Sequence, residues 1–215
     1  DIDFIAMQLG MTQTARGLIT ETLTQGASDD IVDSIVTADK VWDELSSGRS
    51  LSKVSPYLFF YAGMRRYLNI SYLDDDENMD IADYIAGMLG EFVKTSRLSR
   101  LSSSPEHQDT AYHHLLDMET RLHGSSDDSE RFLLYLHMGN FCLFISGIFP
   151  EYVNRHNHCL NMSDYEASGS SGYANASGHI LSIEEGIKNT LEEIAENFQD
   201  IRQALNDYTT TCLLH

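Results

Sequence analysis

The histidine, cysteine and tyrosine side chains that could do chemistry fall in separate clusters along this chain. His113 and His114 precede Asp117, with His123 further on. His113 and Asp117 are four apart, so on a helix they share a face and offer two metal ligands, half of what a zinc site needs. The order differs from H-E-x-x-H, so a polar helix face is the expected reading. His156, His158 and Cys159 form a denser set of candidate metal ligands. On a helix, His156 and His158 would point about 200° apart, so they could share an ion only in an extended turn. The acidic run Asp74 to Glu77 lacks the spacing of a calcium loop and reads as a helix entrance. Gly169-Ser170-Ser171-Gly172 is no phosphate loop, because no strand is expected before it and no Lys follows. No nucleophile elbow, Walker loop, dinucleotide fingerprint or kinase signature occurs in the sequence, so no residue is assigned a catalytic role. The last candidates are polar groups in apolar surroundings. His137 and Asn140 interrupt a strongly apolar segment, and a buried polar group without a partner costs about 1–3 kcal/mol. His137, Asn140, Tyr165 and Tyr173 are therefore expected as an internal polar link or as the lining of a ligand pocket between facing helices.

The elements that would position these residues are helices. Only 3 prolines interrupt the chain, and helical periodicity dominates over alternation. The expected fold is all-α, a single-domain bundle of eight or nine helices around a central apolar helix, 129–149. Helices are expected over residues 2–24, from Asp29 or Asp30 to Leu45, from Ser55-Pro56 to Leu68, over 79–94 and over 105–122. Ser55 caps the third of these and Pro56 suits its first turn. Pro150 opens a short helix through Cys159. The segment Tyr165 to His179 is rich in Gly, Ala and Ser, and is expected as a packed helix whose small face admits a close neighbour, capped by Ser163 or Asp164. A final helix runs from Ser182 to Tyr208, with Ser182 and Glu185 in capping-box spacing. The linker 99–106, with Ser102-Ser103-Ser104-Pro105, is where a subdomain division would fall. The central helix is apolar nearly all round, but His137, Gly139, Asn140, Ser146 and Gly147 within it favour a bundle core over a membrane span.

The stretch Met138-Gly-Asn-Phe-Cys-Leu-Phe-Ile-Ser-Gly-Ile-Phe-Pro-Glu151 resembles one found in a group of uncharacterised bacterial all-helical proteins. In that group a small-residue helix follows, as Gly172-Tyr173-Ala174 does here in altered order, and Asn140 stands where an Asp is usual. The resemblance implies a helical architecture and a bacterial origin, and carries over no catalytic residue.

Composition narrows the function. Lys and Arg number 14 against 33 Asp and Glu, a net charge of −19 that disfavours nucleic acid and anionic membranes as partners. Arg65-Arg66 and Lys94, Arg97 and Arg100 are the only basic clusters, and no nucleic-acid motif surrounds them. Cys142, Cys159 and Cys212 are odd in number and unpaired in spacing, as expected of reduced thiols in a cytoplasmic protein. No charged segment followed by an apolar one marks a signal peptide. The leading expectation is a non-enzymatic module that binds a protein partner or a copy of itself. The alternative is a small-ligand or metal-binding helical bundle, enzymatic or not, with its cofactor unknown.

Overall fold

Ser55 and Pro56 show how the sequence starts its helices. The Ser55 hydroxyl accepts the Leu58 N–H at 3.1 Å, and Pro56 occupies the first turn, where no N–H is needed. In the computed structural model, residues 38–47, 54–68, 75–94, 110–155 and 160–213 are described. Among them every regular element is a helix: α1 (Asp39–Ser46), α2 (Pro56–Tyr67), α3 (Asp75–Lys94), α4 (Thr110–Gly124), α5 (Asp128–Ile148), α6 (Pro150–Arg155), α7 (Met162–Ser177), α8 (Ile180–Glu184), α9 (Lys188–Glu196) and α10 (Phe198–Leu213). The all-α, multi-helix fold with a central apolar helix is thus the one expected. The helix expected over residues 2–24, the start of the one that follows it and the linker 99–106 lie outside the described residues. The chain divides into two units, residues 1–90 with 207–215, and residues 91–206.

The first unit has an aromatic centre. Tyr208 is fully buried, its ring 4.8 Å from Phe59, 5.6 Å from Tyr67 and 5.8 Å from Trp42. Its hydroxyl donates to the Phe59 carbonyl at 2.6 Å, which removes the cost of burying it. At the rim, the Arg66 guanidinium stacks over Trp42 at 4.9 Å.

The second unit is built on α5, against which α4, α6 and α7 pack, and α9 packs against α7. Asp127 caps α5 by accepting the Ser129 N–H at 3.0 Å. By length and composition α5 could cross a membrane, and 61% of its most apolar window is buried inside the protein. The small-residue segment is an ordered helix, α7, and its glycines explain its place. A Cβ at Gly172 would stand 2.8 Å from the Gly139 nitrogen and the Tyr135 carbonyl oxygen, so the two backbones approach too closely for any side chain there. Gly139 in turn makes room for the Tyr173 ring. The two stretches that carry the resemblance therefore meet at one seam.

Two expectations of local structure are corrected. Asn161, not Ser163 or Asp164, caps α7; it accepts the Asp164 N–H at 3.2 Å, and Asp164 returns the bond to the Asn161 N–H at 2.7 Å. The single helix expected from Ser182 to Tyr208 is three helices. Gly186 adopts φ +70°, which ends α8, and Asn197 interrupts the chain between α9 and α10. Ser182 therefore caps nothing; its buried hydroxyl turns back to the Ser177 and His179 carbonyls, both at 2.7 Å.

Candidate functional site

The first turns of α5 set four side chains on one face. Asp128, Arg131, Phe132 and Tyr135 follow the helical period and line one wall of a cleft of about 340 Å³ in the second unit. The opposite wall is the end of α7, with Ala174, Asn175 and Gly178, and then His179. Helix α7 ends at Gly178, and His179 begins α8 as its cap. The His179 Nδ1 accepts the Leu181 N–H at 3.1 Å, so in the neutral ring the proton sits on Nε2. The Phe132 ring lies 5.3 Å from the His179 ring at 30° and fixes its plane.

Among the described residues Arg131 is the only guanidinium lining the cleft. It is half-buried, and its hydrogen bond is a long one, from Nη2 to the Tyr135 hydroxyl at 3.4 Å. No carboxylate among the described residues lies within ion-pair distance of it. The adjacent Glu130 is engaged elsewhere: it accepts from Ser125 at 2.7 Å and pairs with Arg121 at 2.9 Å. The Ser125 hydrogen bond and then the Arg121 guanidinium hold the Glu130 carboxyl below its usual range. Asn175 donates its amide N–H back to the Ser171 carbonyl at 2.7 Å, so its amide N–H is already committed.

The residues singled out in the sequence fall elsewhere. Asn140 and Tyr173 are brought together: the Tyr173 hydroxyl donates to Asn140 Oδ1 at 2.8 Å, across the α5–α7 seam. His137, one turn away, lies parallel to the Phe92 ring at 6.2 Å. Tyr165 is buried on α7, and burial, followed by its neighbours Tyr152 and Cys142, pushes its phenol well above the ordinary range. None of these four lines the cleft. His156, His158 and Cys159 lie outside the described residues, as do the side chains of His113 and His114. Asp117 is exposed, and His123 Nδ1 bonds the Glu119 carbonyl at 2.7 Å. Among the described residues no three His, Cys, Asp or Glu side chains are grouped to hold a metal. The cleft residues were missed because Arg131 and His179 are far apart in sequence. The one available cue was a lone Arg at the start of an otherwise apolar helix.

Comparisons with protein-family models, with curated proteins and with solved structures give no match to this chain.

Proposed function

We propose that the protein is a non-enzymatic helical module that binds another protein through the surface formed by α8 and the start of α5. The observation that carries this reading is the exposure of Leu133, Ile180 and Ile183, at 60%, 59% and 57%. Single exposed apolar residues are ordinary, whereas neighbouring ones mark contact surfaces. Leu133 and Ile180 each follow in sequence one of the paired rings of Phe132 and His179, and Ile183 follows Ile180 at helical spacing. Charge guides the choice of partner: a net −19 favours a basic or neutral surface over a second copy until salt screens the repulsion. A reducing compartment suits the free, buried Cys142 and Cys212. The proposal takes the chain as one of the bacterial helical group it resembles.

A photo-reactive amino acid in place of Ile180, Ile183 or Leu133, in the full chain and in its own cells, tests the reading. A discrete protein adduct from these positions, absent when the same group replaces the exposed Gln203, supports it. Absence of a discrete adduct from all three refutes it.

A second reading, a helical bundle that takes a small ligand, is favoured by the cleft. Its volume of about 340 Å³ lies at the lower end of the range for small-molecule sites.

A further inference from the structure

The geometry points to an oxyanion site in the cleft between α5 and α7, built on Arg131 and His179, for a compact carboxylate or phosphate; the inference rests on the second reading above. A guanidinium has five N–H donors in a planar fork suited to two oxygens of one anion. At Arg131 the described partner is one neutral hydroxyl at 3.4 Å, and the nearest acid in sequence, Glu130, is committed to Arg121 and Ser125. A half-buried cation with no carboxylate beside it among the described residues, in a chain of net charge −19, has its counter-charge still to come. His179 supplies a second donor, because the Leu181 N–H occupies Nδ1 and leaves Nε2–H available. Asn175 adds an acceptor, since its N–H is turned back to Ser171; a hydroxyl on the ligand would meet it. Asp128 also lines the cleft, but it is exposed, where water weakens its repulsion of an anion. A mostly polar lining and a volume of about 340 Å³ fit a small hydroxy-carboxylate or phosphate rather than an apolar body.

The full chain, labelled with ¹⁵N, is titrated with inorganic phosphate, glycolate, N-acetylglycine and, as a cationic control, ethanolamine. The Arg131 Nε–H and His179 backbone N–H signals report. Phosphate or glycolate is expected to move both saturably, with a Kd of about a millimolar. Arg131→Gln is expected to weaken binding about tenfold or more, because it removes a charge-assisted fork. Lys188→Gln, on a surface pair outside the cleft, should leave it unchanged. Equal binding of N-acetylglycine assigns the oxyanion to a chain terminus, and preference for glycolate or phosphate assigns it to a free small molecule. The inference is overturned if the anions leave both signals still, if Arg66 and Lys40 respond as strongly, or if Arg131→Gln binds as the parent does. Movement of the cleft signals by ethanolamine alone also overturns it, while the second reading survives.

Discussion

Replacing Gly172 by Ala adds a single methyl group to α7 and sets two effects against each other. Within a helix the change from Gly to Ala is worth about 0.5–1 kcal/mol in favour of folding. The new Cβ, however, would stand 2.8 Å from the Gly139 nitrogen and the Tyr135 carbonyl oxygen. Both are backbone atoms of α5 and cannot swing aside as a side-chain tip would, so the helices must separate, at a cost of about 1–3 kcal/mol. Gly87 provides the reference. It too lies inside a helix, α3, and nothing stands within 4 Å of a Cβ built there. Gly87→Ala should therefore stabilise its unit, and the two variants should differ by about 1–3 kcal/mol. Urea unfolding needs two probes, because the single Trp of the chain, Trp42, lies in the first unit with Gly87, whereas Gly172 lies in the second. Trp fluorescence follows the former, and far-UV circular dichroism follows both. Should Gly172→Ala raise its transition as Gly87→Ala does, the close approach of α5 and α7 is wrong.

Two further outcomes follow from the first unit. Tyr208→Phe removes the 2.6 Å bond to the Phe59 carbonyl from a fully buried site, and should lower stability by about 0.5–1.5 kcal/mol, read from the Trp42 fluorescence transition. Burial pushes the Cys212 thiol from 9.0 up to about 11. The unfolded chain therefore loses this proton first as pH rises, so stability should fall between pH 9 and 11, and Cys212→Ser should flatten that part of the urea-midpoint profile.

How far the sequence speaks depends on how local the signal is. The start of α2 was legible because Ser55 and Pro56 act within one turn. The packing of α7 was legible because a run of small residues has few other uses in an ordered helix. The break at Gly186 was not, because Ile183, Ile187 and Leu191 keep helical spacing straight through it. Only the structure shows Ile183 57% exposed and Leu191 fully buried, so the apolar stripe is not continuous. Asn140 and Tyr173 were named together because each needed a hydrogen-bond partner. The cleft escaped because its walls come from separate helices, and neither wall has a pattern that refers to the other.

The seam at Gly139 and Gly172 also decides what kind of change α7 can absorb. Its inner face, Gly169, Gly172 and Ala176, is buried and held to small volume. Its outer face at Ala167 and Ser171 is exposed and is under no such limit. Substitutions on the two sides of one helix are therefore filtered by different rules: a single carbon is excluded on the inside, whereas a long charged chain is tolerated on the outside. A helix of this kind can lose every trace of hydrophobic periodicity and still be fixed in place, because its contacts are specified by what is missing.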